Sequence, residues 1–189
     1  IFIAKSDLLF KSPYVLKQII EAYEPGIGLI NPIICNPDGQ IDQRVSYKKK
    51  LLYLRMLKKF LEWYFEKTIS FSKSSHNDSK VEYVKEITGT QTDRYIVAGS
   101  GFMLTGDFFA EYRGLYPGTF LYYEEWATII LLHKASLKTK VAETDPIIHI
   151  GGASTPKNVR TMTKERRKIC FNSWKAIFLL AIGHQNKKR

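Results

Sequence analysis

Cysteine and long apolar runs are what this 189-residue sequence has least of. Two cysteines, Cys35 and Cys170, cannot build a disulfide framework or a four-cysteine zinc site. They are expected to be reduced thiols in the core of a cytoplasmic protein. The longest uninterrupted apolar stretches are Ile129–Leu132 and Ala176–Ile182, whereas a spanning helix needs about 20 residues. The chain opens Ile-Phe-Ile-Ala, with neither an initiating Met nor the basic-then-apolar order of a signal peptide. It is therefore expected to enter mid-domain, through a buried strand. What is present, 44% hydrophobic and 25% charged residues, is the composition of one globular domain, which at this length buries about 70% of its unfolded surface.

Acidic residues are scarce in two places. Residues 1–59, 60–156 and 157–189 have charge balances of +5, −3 and +9, so most of the net +11 is C-terminal. There Lys157, Arg160, Lys164, Arg166, Arg167 and Lys168 precede an apolar stretch with Ile169, Trp174, Ile177 and Phe178, and Lys187, Lys188 and Arg189 follow. A basic amphipathic helix over 156–189 is expected, either lying on an anionic membrane surface or packing on the domain with its charges solvated. The second run, Arg44–Lys59, holds seven basic residues and no acid, with Leu51, Leu52, Leu54, Leu57, Phe60, Leu61 and Tyr64 near helical spacing. Phosphate neutralisation makes nucleic acid a partner to consider, but no zinc-finger spacing, ribonucleoprotein motif or helix-turn-helix pattern accompanies it.

Strands and helices are expected to alternate, which makes the class α/β. Ile1–Ala4 reads as a strand, Ser12-Pro13 as the start of a helix carrying Val15, Leu16, Ile19 and Ile20. Ile27–Cys35 reads as a buried strand closed by the turn Asn36-Pro37-Asp38-Gly39. The basic helix follows, then a polar loop over Ser70–Asp93. Tyr95–Leu104 is a strand interrupted by Gly99, Ser100 and Gly101, where a bulge or a close approach to the backbone is expected. Phe108–Tyr112 is a short helix, Glu124–Ala135 a buried one, and Lys140–Ile150 the last strand.

Three constellations lie where these elements end, and strand ends are where ligands gather in α/β sheets. Asp7 follows the opening strand and is either a turn former or a ligand for a hard divalent cation. Glu124 and Glu125 open a buried helix between aromatic residues. They either complement the helix dipole or supply a general base. His149 ends an apolar strand just before Gly151 and Gly152. It is either a core histidine or a ligand, beside glycine amides able to face an anion.

In order along the chain stand Lys5-Ser6-Asp7, Gly99 to Leu104, Gly114-Leu115-Tyr116-Pro117, Phe120 to Glu125, and His149 to Ser154. Together they resemble the second half of a family 2 glycosyltransferase of the GT-A fold, especially the rhamnosyltransferase-like bacterial group, over residues 1–155. In that family a strand ends in an Asn/Asp-x-Asp metal motif. A Gly-rich strand and turn follow, then a Phe-Leu-Tyr-x-Glu-Asp/Glu helix start and a His-x-Gly-Gly-x-Ser segment.

The resemblance implies a mixed sheet flanked by helices, the acceptor-side part of the GT-A domain without its nucleotide-binding half, so the chain alone is expected to be inactive. The implied activity is inverting transfer of a sugar from a nucleotide-diphosphate donor to a saccharide or lipid-linked acceptor in surface polysaccharide synthesis. Asp7 and His149 would hold Mg or Mn, Gly151 and Gly152 would line the donor site, and Glu125, with Glu124 beside it, would deprotonate the acceptor. The implied location is the cytoplasm, peripheral on the inner face of the membrane. Lys5 stands where the family has Asn or Asp, and Ala127 and Leu131 replace an Asp and an Arg. The competing expectation is a non-catalytic basic module that binds anionic membrane or nucleic acid.

Overall fold

The computed structural model describes residues 1–41, 45–49, 53, 54, 56–58, 60, 61, 64, 82–83, 88–119, 123–150 and 164–183. Strands β1 (Phe2–Ala4) and β2 (Leu8–Phe10) precede helix α1 (Val15–Glu21), then β3 (Ile27–Asn31), β4 (Ile34–Cys35) and β5 (Val45–Lys48). Tyr53, Leu54, Met56, Leu57, Lys58, Phe60, Leu61 and Tyr64 belong to α2. Next come β6 (Glu82–Tyr83), β7 (Gly89–Gln91), β8 (Arg94–Val97), β9 (Gly101–Leu104), α3 (Gly106–Glu111) and α4 (Glu124–Lys134). The order closes with β10 (Lys138–Val141), β11 (Ile147–His149) and α5 (Lys164–Ile182).

The class is mixed α/β. A five-stranded sheet runs β1-β9-β3-β10-β7, with β3 and β10 parallel and the other neighbours antiparallel. A small sheet, β2-β11-β4, joins β11 antiparallel to β2 and parallel to β4. A third sheet, β6-β5-β8, is antiparallel. All five residues of β3 are buried, as a strand covered on both faces requires.

Two hydrophobic clusters flank that strand. One joins Leu29, Phe102, Leu104 and Phe108 to the apolar interior of α4, where every residue from Trp126 to Leu132 is buried. The other joins Val15 and Ile19 of α1 to Ile27, Ile30, Ile34 and Ile147. Cys35 and Cys170 are both buried, as expected of core thiols.

The sequence expectations need correction where chain direction changes. Ile27–Cys35 is two strands in two sheets, divided at Pro32-Ile33. Tyr95–Leu104 is also two strands, because Gly99-Ser100-Gly101 is a reversal and not a bulge, with the Gly101 amide donating to Ala98 O at 3.2 Å. Lys140–Ile150 divides into β10 and β11, in different sheets, across Ala142–Pro146. β2, β5, β6 and β7 were not expected: β5 takes the first residues of the basic run read as a helix, where Val45 to Lys48 pair with β8, and β6 and β7 fall inside the stretch read as a loop. α1 begins at Val15 without a side-chain cap; Ser12 Oγ instead accepts from the Tyr14 amide at 3.3 Å.

The C-terminal helix is present, and its apolar face is in the core. Cys170, Trp174, Ile177 and Leu180 join the α4 cluster. Phe178 stacks on Phe60 of α2, ring centroids 4.7 Å apart. The expectation that Trp174, Ile177 and Phe178 would face a membrane is therefore corrected: they are engaged with protein. No helix among the described residues is long and apolar enough to cross a bilayer.

Candidate functional site

The reversal at Gly99-Ser100-Gly101 lies against Glu125 and is tied to Lys5, two residues before Asp7. It is anchored from below by Asn31, a fully buried side chain at the end of β3. Asn31 Oδ1 accepts from the Ala98 amide at 2.9 Å, while Nδ2 donates to Ile96 O at 2.9 Å and to Lys140 O at 3.3 Å. An asparagine so satisfied fixes β8 against its neighbours just before the turn. On the other side the Lys5 amide donates to Ser100 O at 2.9 Å, which ties the end of β1 to the same turn.

At both glycines a side chain occupies the space a Cβ would take. A Cβ at Gly99 would collide with Oε1 of Glu125 and stand 3.2 Å from its Cδ. A Cβ at Gly101 would stand 2.9 Å from Leu8 Cδ1. The sequence signal, small residues where something approaches closely, thus corresponds to two side chains of the protein itself.

Glu125 reaches Gly99 because α4 starts abruptly. Tyr123 holds φ 72°, a left-handed conformation that a tyrosine adopts only when its surroundings enforce it. Its ring lies 5.0 Å from that of Trp174, and its carbonyl accepts from the amides of Trp126 and Ala127 at 3.1 and 3.3 Å. Burial pushes the Glu125 carboxyl above the ordinary carboxylate value, and the neighbouring Glu124 adds to the rise. A hydrogen bond from its own backbone and the charge of Lys5 oppose it. Such a carboxylate is a stronger base than a solvated one. Nothing in the sequence singled out Tyr123 or Asn31; their roles come from backbone geometry and a non-local pairing.

Two residues beyond Lys5, Asp7 meets His149. Antiparallel pairing of β2 with β11 sets Leu8 opposite His149, and the Ile150 amide donates to Asp7 O at 3.1 Å. His149 Nε2 then lies 3.3 Å from Asp7 Oδ2, while Asp7 Oδ1 is buried with no hydrogen-bond partner. The Oδ2–Nε2 spacing is that of an ordinary histidine–carboxylate pair and equally that of two ligands on one divalent cation. Two ligand bonds of about 2.1 Å at roughly 100° place their donors about 3.2 Å apart. No group of three or more His, Cys, Asp or Glu arranged for a metal occurs among the described residues. Mg²⁺ in phosphate chemistry is commonly held by one or two protein groups and the substrate's own oxygens. Gly151 and Gly152 lie outside the described residues.

Glu125, Lys5, Asp7 and His149 are thus connected through one turn and the end of one strand. A separate open pocket of 410 Å³, between α1 and β10 and lined by Gln18, Glu21, Lys140 and Glu143 among others, includes none of them. Comparison of the chain with protein-family models, curated proteins and solved structures finds no match.

Proposed function

We propose that this chain carries the acceptor side of a GT-A glycosyltransferase, one that moves a sugar from a nucleotide-diphosphate donor to a saccharide or lipid-linked acceptor with inversion. The observation that carries the reading is the seating of Glu125 against Gly99, at the turn tied to the strand end that leads into the Asp7–His149 pair. A charge-driven binding module has no use for a desolvated carboxylate held by a glycine.

In this reading Glu125 takes the proton of the acceptor hydroxyl as the acceptor oxygen bonds to the anomeric carbon. On the opposite face of the sugar the bond to the diphosphate oxygen breaks, and its electron pair leaves with the nucleoside diphosphate. A raised pKa suits the base, because it holds the proton more firmly once taken. Asp7 and His149 would hold the Mg or Mn ion, whose chemistry is to offset charge developing on the diphosphate. Lys5 adds a positive charge at the same rim, where it also opposes protonation of Glu125.

Because this reading places the nucleotide-binding half outside the chain, the test is release of nucleoside diphosphate by the complete enzyme, that half included, from a panel of nucleotide-diphosphate sugars, with Mn²⁺ or Mg²⁺ and saccharide acceptors. Acceptor-dependent release that is lost in Asp7→Ala is expected. Release that proceeds equally in Asp7→Ala, or no release from any donor, would count against the reading and favour the non-catalytic basic module.

A further inference from the structure

Among the described residues two non-glycines have a left-handed backbone, and they stand at the two ends of α4. Ser136 (φ 57°) follows the helix, where that conformation is a common way to end one. Its amide and that of Leu137 donate to His133 O and Leu132 O at 3.2 and 2.9 Å. Tyr123 (φ 72°) precedes the helix, where the chain is ordinarily extended and a short polar side chain caps the first amides. Tyr123 makes no such side-chain bond. Its conformation costs free energy in a tyrosine, so packing must hold it.

That packing comes from α5. The Tyr123 ring lies against Trp174, which also meets Trp126 edge-on and is essentially inaccessible. The indole Nε1 of Trp174 is buried with no hydrogen-bond partner, a second cost at the same contact. Two residues further along α5, Ala176 O accepts from Tyr116 Oη at 3.4 Å, which ties the turn ahead of α4 to the same helix. Consecutive helical side chains point about 100° apart. Holding Trp126 on Trp174 therefore fixes the direction of Glu125, whose carboxylate lies against Gly99. We propose that Trp174 and Tyr123 are positioning residues for Glu125: α5 holds the start of α4 in the rotation that seats the carboxylate at the Gly99 turn. The inference rests on the reading of Glu125 as the base, and it adds to the site a helix that lies outside residues 1–155. Local costs held in place by packing cluster where function needs a fixed geometry. A reacting group misplaced by about 1 Å loses about 10²-fold in rate.

The experiment follows the Glu125 carboxyl by carbon NMR against pH in the full chain, with Glu125→Gln to assign its signal. In the wild type the midpoint lies above the ordinary 4.5, because the carboxyl is buried. Tyr123→Gly takes the left-handed conformation without strain but supplies no ring, so the chain stays folded while the start of α4 is released. Its midpoint is expected to fall toward the ordinary value as the carboxyl reaches water. Trp174→Leu should act in the same direction, and Tyr123→Gly decides the matter if Trp174→Leu does not fold. Tyr123→Phe keeps the ring and should keep the wild-type midpoint, a rescue that a loss of stability alone would not show. In the complete enzyme Tyr123→Gly should lower kcat by about 10–10²-fold with the donor Kd unchanged. Absence of turnover in the wild-type enzyme would count against the transferase reading. An unmoved midpoint in folded Tyr123→Gly, or an unchanged kcat in that variant, would overturn this proposal.

Discussion

Gly99 and Glu125 share one space, and the glycine's missing Cβ is what admits the carboxylate. Gly99→Ala should destabilise the fold by about 1–3 kcal/mol through overpacking. In a Glu125→Ala background the same substitution should be close to neutral, because its obstacle is gone. Urea unfolding of the four proteins of that cycle measures the coupling, and an equal penalty in both backgrounds would separate the two residues. The raised pKa of Glu125 gives a second expectation. The folded state keeps this proton at pH values where the unfolded chain has released it. Stability from this group therefore falls as pH rises from 4.5, the ordinary value, through the raised folded value. Glu125→Gln should gain on the wild type across that window and hold the gain above it, in urea midpoints measured against pH. A difference that does not vary with pH would mean that Glu125 titrates as if it were in water.

At the scale of the element, α5 is a core helix whose charges are a separate matter from its packing. Trp174 meets Tyr123 and Trp126 at 5.0 and 5.1 Å and is essentially inaccessible. Trp174→Ala should cost about 3–5 kcal/mol. Trp174→Phe should cost clearly less, because the indole Nε1 is buried without a hydrogen-bond partner and the phenyl ring removes that unmet donor. Comparable losses in chemical denaturation would show that the nitrogen has a partner in solution. Helices were the legible part of the fold: the nearly unbroken apolar interior of α4 and the pattern around Trp174 locate both. Strands were less legible, since an apolar run such as Ile27–Cys35 looks the same whether it continues or crosses to another sheet. Pro32 and Pro146 stand at breaks inside runs read as single strands, and Gly99-Ser100-Gly101 was read as a bulge or close approach; even where a local signal is present, it does not say which sheet the chain joins next. Leu8–Phe10 was missed because a three-residue edge strand has no periodicity to detect.

For the whole molecule, the candidate site is assembled by pairings between distant segments. Asp7, Glu125 and His149 were legible as residue types at the ends of elements, but their association rests on the pairing of β2 with β11 and on the tie from Lys5 to Ser100. Asn31 and Tyr123, which position the turn and the helix start, carry no sequence signature. The same separation holds for charge: the basic balance was legible as a number, whereas the burial of the apolar face of α5 followed only from packing. The central claim is that Glu125 acts as a base on an acceptor hydroxyl, and its most direct measurement is Glu125→Gln turnover beside donor affinity in the complete enzyme, its nucleotide-binding half included. We expect kcat to fall by about 10²–10⁴ with the donor Kd unchanged, since the lost interaction belongs to proton transfer in the transition state. Turnover close to that of the wild type would contradict the assignment.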